Sequence, residues 1–174
     1  GDMYDADIMA GYLAEQTPWW EPGTRNGYHL VTFGWTVGEL VRRVSGLSLG
    51  EFIAKEIATP LGADFYLGLP AELEPRVAPI TAWQPGPDYV IGRYATAVMT
   101  DPASMQHLAT MNVVAAGVDA NTRAFRAAEL GGMNGLASAR GLAAIYGPLA
   151  IGGGSLVSVD AVARMGETAV ATSE

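Results

Sequence analysis

The chain has 174 residues, 49% hydrophobic and 16% charged, with a net charge of −8 and no cysteine. That length and apolar content suit one globular domain with a real core, not a disordered tail or several domains. The charge balance, with no local Lys/Arg cluster, speaks against nucleic acid as a partner. The absence of cysteine excludes disulfides, thiolate zinc sites and a thiol nucleophile, and His29 and His107 are too few for a histidine-rich metal centre. No metal or other cofactor is therefore expected. No apolar run reaches membrane-spanning length, and the first residues carry neither a basic nor an apolar leader segment.

In chain order, Asp5 or Asp7 caps a first helix to about Gln16, with Ile8, Tyr12 and Leu13 on one face, and Pro18 stops it. Trp19 to Thr24 forms a turn around Pro22-Gly23. The periodicity predicts a second helix from near Tyr28 to Val44, with Val31, Gly34, Val37, Val41 and Val44 as its apolar stripe. A third covers Ser48 to Ile57 and ends at Thr59-Pro60. Leu61 to Asp88, rich in Gly and Pro, reads as extended loop with one short strand around Arg76–Thr81. Asp101-Pro102 reads as the cap and first position of a helix to about Ala115. Short helices follow near Thr122–Glu129, after Ser138, and after Ser158, the last one beyond a Gly152-Gly153-Gly154 turn. The pattern is predominantly α with long irregular loops.

Gly46-Leu47-Ser48-Leu49-Gly50 matches G-x-S-x-G, the turn that exposes a nucleophilic serine above a sheet. Such a turn needs a strand before the serine, and the residues before Ser48 have helical periodicity. Capping chemistry accounts for the stretch without a nucleophile. Gly46 is placed to end one helix in the left-handed region. Ser48 and Glu51 have capping-box spacing, and Leu47 and Phe52 have the spacing of a hydrophobic staple. Ser48 is therefore expected to cap a helix.

The stretch from Trp20 to Trp35, WEPGTRNGYHLVTFGW, delivers Tyr28 to the expected start of the second helix. There the positive helix end favours a tyrosinate, the form a tyrosine base needs. An aromatic residue at a helix start is also an ordinary packing residue, and the residues alone leave both readings open. His29, about a hundred degrees around a helix from Tyr28, reads as a packing or weak substrate contact. Trp20 and Trp35, with Trp19, are candidates to line an acyl pocket or to pack.

The ordered set Pro22-Gly23-Thr24, Tyr28, Phe33-Gly34, Ser48-Leu49 and Pro60-Leu61-Gly62, followed by Asn121–Leu130 and Asn134–Met165, resembles the serine β-lactamase-like superfamily over nearly the whole chain. That superfamily includes class C β-lactamases, DD-peptidases and family VIII carboxylesterases, and the Gly-Tyr-His-x-x-Thr-Phe-Gly form is nearest the esterases. The resemblance implies that this is the helical domain portion of an α/β β-lactamase/transpeptidase-like fold. It also implies a serine that forms an acyl-enzyme, with Tyr28 as general base or proton relay. Three departures bear on it. No S-x-x-K occurs, since Lys55, the only lysine, follows no serine at that spacing. The closing [K/H]-x-G strand motif is also missing. Leu30 stands where lactamases and peptidases carry the asparagine that recognises an amide. Residues 1–174 are thus expected to be a single partial domain, an internal fragment without its nucleophile, from a parent that cleaves short-chain esters. β-Lactamase or DD-peptidase activity, a catalytically dead binding protein and an unrelated helical module are the alternatives. Exposed surface meant for missing parts leads to an expectation of self-association.

Overall fold

The computed structural model describes residues 2–111 and 118–169. A 3-10 turn at Asp2–Tyr4 leads into α1 (Ala6–Glu15), followed by α2 (Thr32–Ser45) and α3 (Leu49–Phe52). α3 continues without a break into π-helical turns over Ile53–Ala58, closed by Thr59 N–H to Ala54 C=O at 2.9 Å and Ala63 N–H to Ala58 C=O at 2.8 Å. Then come β1 (Phe65–Tyr66), a 3-10 helix at Ala71–Arg76, α4 (Arg93–Thr100), α5 (Met105–Met111), α6 (Arg123–Ala127), β2 (Leu136–Ala137), α7 (Ala139–Ala150) and α8 (Val159–Met165). β1 and β2 pair antiparallel, Phe65 opposite Ala137 and Tyr66 opposite Leu136. No helix among the described residues is long and apolar enough to cross a membrane.

Local capping sets most boundaries. Asp5 accepts from the Asp7 and Ile8 N–H groups at the head of α1. Gly46 ends α2 at φ +75°. Ser48 and Glu51 form the complete capping box, and Thr122, Ser138 and Ser158 cap α6, α7 and α8. Each places a side-chain oxygen on an N–H that has no partner inside the helix.

The core forms where α1 and α2 meet α6 and the turn after it. Val31, Trp35, Phe125, Ala128 and Leu130 are buried together, with Met9, Leu13 and Leu30 packed around them. Of the expected face of α1, Leu13 packs on the core but Ile8 and Tyr12 are exposed; Met9 packs beside Leu13 instead, and the Tyr12 hydroxyl donates to Asp2. On α2 the expected stripe holds at Val31 and Gly34 but not at its end, because Val44 is 77% exposed. The buried side turns through Trp35. On the polar side of α2, Arg42 and Arg43 donate to Glu39 and hold its carboxyl down at about 2.

Three other expectations are corrected. Residues 76–81 form no strand: Arg76 ends the 3-10 helix, and Ile80 is held by the Asn121 side chain, which takes its N–H and donates to its C=O, each at 2.8 Å. That amide does for one residue what a strand partner would do for several. Asp101 does not start a helix. It closes α4, a helix the sequence reading lacks, and its side chain accepts from Ala103 N–H in a turn. Ser104 caps α5 through its hydroxyl and the His107 N–H, so the helix begins at Met105; the expected stretch to Ala115 runs past the described residues. Finally, α2 starts at Thr32, not near Tyr28.

Residues 69–74 are tied to α6 by backbone bonds and by charge. Leu69 N–H donates to Arg126 C=O, Arg123 donates to Leu69 C=O, and both guanidiniums reach Glu74, at 3.0 Å from Arg123 and 2.5 Å from Arg126. Arg126, then Arg123, hold the Glu74 carboxyl below its usual range.

Candidate functional site

The segment from Trp20 to His29 is a mostly exposed loop built on a turn. Thr24 N–H and its hydroxyl both donate to Glu21 C=O, at 3.2 and 2.6 Å, and Gly23 adopts φ +83°. Only glycine takes that conformation without strain. The turn reverses the chain and brings the half-buried Trp20 ring back over Gly27. Tyr28 follows, four residues before α2, with 76% of its surface exposed. It is not in the first turn of a helix, so the direct helix-end field invoked from the sequence weakens at that distance. His29 is also outside the helix; its Nδ1 lies 2.8 Å from Thr32 Oγ1 at the head of α2.

Trp35 is elsewhere. It is 3% exposed, inside the core with Val31, Phe125 and Leu130. It borders a cavity of about 420 Å³ between α1, α2 and the start of α3, together with Glu39, Arg42, Ser48 and Glu129. Trp20, Tyr28 and His29 do not line that cavity. The structure therefore brings Trp20, Tyr28 and His29 onto one loop and separates Trp35 from them, as a core residue.

Ser48 is engaged on both sides. Its hydroxyl accepts from Glu51 N–H at 3.1 Å and donates to Glu129 Oε1 at 2.8 Å, while Glu129 Oε2 accepts from Gly50 N–H at 2.7 Å. Glu129 thus staples the N-terminus of α3, where the helix field favours a carboxylate. Both histidines are engaged elsewhere, His29 with Thr32 and His107 with Val98 C=O. Ser48 is a cap, and the G-x-S-x-G match is incidental. The Gly152-Gly153-Gly154 run is a turn in which Gly153 N–H is bound by Pro148 C=O, so it offers no open pair of donors for an oxyanion.

Sequence reasoning missed Glu129 and Asn134. Glu129 stands 81 positions from Ser48, and no local pattern announces it. Asn134 is buried, and its amide binds the backbone at Phe125, Ala128 and Leu130. The one available signal was an asparagine-glycine pair just before a short strand, which reads equally well as an exposed turn.

Comparisons with known proteins agree with the order of motifs. The chain is 32% identical over 157 residues to the esterase/beta-lactamase LipL of Mycobacterium tuberculosis (strain ATCC 25618 / H37Rv), covering 87% of this chain and 36% of LipL. It superposes on EstA from Arthrobacter nitroguajacolicus Rue61a with a TM-score of 0.66 and 39% identity, covering 83% of this chain and 37% of EstA. A penicillin-binding protein homolog from Caulobacter crescentus gives a TM-score of 0.71 at 29% identity, over 92% of this chain and 41% of that protein. The chain thus spans less than half the length of each of these relatives. The profile of the family described as Beta-lactamase matches residues 1–173. With α1 to α8 and a single two-residue strand pair among the described residues, this chain belongs to the Beta-lactamase family and forms a helical portion of its fold.

Proposed function

We propose that residues 1–174 are a single partial domain of a longer serine hydrolase that cleaves short-chain carboxylic esters through an acyl-enzyme. Tyr28 is its general base or proton relay, and the chain alone is inactive because it contains no S-x-x-K. The observation that carries this reading is position 28. A tyrosine hydroxyl stands on an exposed loop anchored on both flanks, and two residues on, Leu30 packs toward the core where an amide-recognising asparagine would face substrate. Leucine cannot hydrogen-bond an amide, and an ester makes no such demand. LipL, described by name as an esterase/beta-lactamase, is consistent with it.

The test uses the longer protein that contains this chain and short-chain p-nitrophenyl esters. Tyr28→Phe is expected to lower kcat by roughly 10²- to 10⁴-fold, the usual contribution of a positioned acid–base group. Full activity in that variant removes Tyr28 from the mechanism. Faster turnover of a β-lactam than of the esters overturns the substrate class, and no turnover of either favours a binding protein.

The isolated chain is also expected to self-associate. α2 leaves Phe33, Leu40 and Val44 exposed at i, i+7 and i+11, one apolar line on a helix whose other side is already packed. Sedimentation velocity that finds only monomer at micromolar concentration contradicts this.

A further inference from the structure

We infer that Trp20 is a positioning residue for Tyr28: its indole, seated on Gly27, fixes the backbone from which the tyrosine projects. This rests on the reading of Tyr28 as the proton-transfer group. It replaces the sequence-based view of Trp20 as a pocket wall.

The argument begins with Gly27. It is not among the glycines with positive φ, so its backbone conformation would accept any residue. Space decides otherwise: a Cβ at position 27 would sit 2.6 Å from Trp20 Cη2 and 2.9 Å from Cζ2, closer than real contacts allow. The space there is taken by the ring and not by the turn, so an alanine at 27 would have to displace the Trp20 indole. Trp20 is also the half-buried residue in a run, Trp19 to Asn26, that is otherwise exposed, so its ring has a seat that its neighbours lack. The Glu21–Thr24 turn is the device that returns the chain to it.

Tyr28 has little packing of its own, being three-quarters exposed, so its place depends on the backbone on either side. On one side that backbone is pinned by Trp20 at Gly27. On the other it is pinned by the His29–Thr32 contact at the head of α2. Releasing one pin lets the hydroxyl wander by an ångström or more, and a misplacement of about 1 Å in a catalytic group can cost on the order of 10²-fold in rate. A residue that merely lined the acyl pocket would act on substrate binding and move KM instead.

The experiment is a double-mutant cycle in the longer protein, with Tyr28→Phe measured beside it. Trp20→Ala and Gly27→Ala are each expected to lower kcat by roughly 10- to 100-fold with KM within about twofold. The double variant should be no slower than the slower single one, because an alanine at 27 has no ring to displace once Trp20 is gone. Trp20→Phe keeps a smaller ring and guards against misfolding of the alanine variant; it should retain most activity and partly rescue Gly27→Ala. Multiplicative losses in the cycle, or a Trp20→Ala effect confined to KM, overturn the positioning role while leaving Tyr28 in place. Full activity of Tyr28→Phe instead removes the reading on which the inference stands, whatever the cycle gives.

Discussion

Gly34→Ala is expected to destabilise the chain by about 3 kcal/mol, the upper part of the usual range for overpacking. For a domain of this size that corresponds to a melting temperature lower by roughly 6–12 °C. Local propensity points the other way, because glycine in a helix interior costs about 0.5–1 kcal/mol relative to alanine. The packing overrules it. A Cβ on Gly34 would lie 2.2 Å from Gly132 N, 2.6 Å from Gly131 C and 2.7 Å from Gly131 Cα. These are backbone atoms with no rotamer to change. The opposing glycines are as tightly placed: a Cβ on Gly131 would meet Leu49 Cδ2 at 2.6 Å, and one on Gly132 would meet Val31 C=O at 2.9 Å. The methyl can be accommodated only by moving α2 off the turn that carries Leu130 into the core. Gly11→Ala in α1 is the control, since nothing lies within 4 Å of its Cβ; it is expected to stabilise by up to about 1 kcal/mol. Thermal melts of the two variants beside the parent chain decide the matter, and a Gly34→Ala variant melting with the parent would refute the backbone-on-backbone contact.

Asn134→Ala carries the second large effect, about 3 kcal/mol, from buried polar groups left without partners. The side chain is 4% exposed and all but one of its hydrogen-bonding capacities are used. Oδ1 accepts from Leu130 N–H at 3.0 Å, and Nδ2 donates to Phe125 C=O at 2.5 Å and Ala128 C=O at 2.7 Å. The Phe125 carbonyl lies in the last turn of α6, where no intrahelical N–H remains to bind it. Truncation orphans one donor and two acceptors beside the most deeply buried side chain, Leu130. Asn134→Asp is nearly isosteric but turns the two-donor end of the amide into a carboxylate facing two carbonyl oxygens, so at neutral pH it is expected to cost more than alanine. Chemical denaturation of both variants checks the order. An aspartate variant as stable as the parent would mean that the amide does not hold this turn.

Both positions show why parts of this fold were readable and others were not. The caps at Asp5, Gly46, Ser48, Ser138 and Ser158 were legible because a cap and the N–H or C=O it serves lie within a few residues. Asp101 misled for the same local reason. An aspartate before proline suits a helix start, but it equally suits a helix end with a side-chain-closed turn, and Ser104, three residues on, was the better cap. Of the site, the order of motifs around Tyr28 was enough to place the chain among its relatives. The start of α2 was not readable: the apolar stripe runs back to Val31, and only the folded backbone shows that the helix begins at Thr32.

Composition, caps and motif order were sufficient for a mostly helical member of the Beta-lactamase family, because each rests on interactions no longer than a helical turn or on the linear order of short motifs. Tertiary structure alone assigned Trp35 to the core, joined Ser48 to Glu129 across 81 residues, and seated Gly34 on Gly131 and Gly132. Each of these depends on which distant backbone arrives beside a residue. Ser48 is a cap by its local box with Glu51, and what the fold adds is the Glu129 carboxylate that accepts from its hydroxyl across 81 residues.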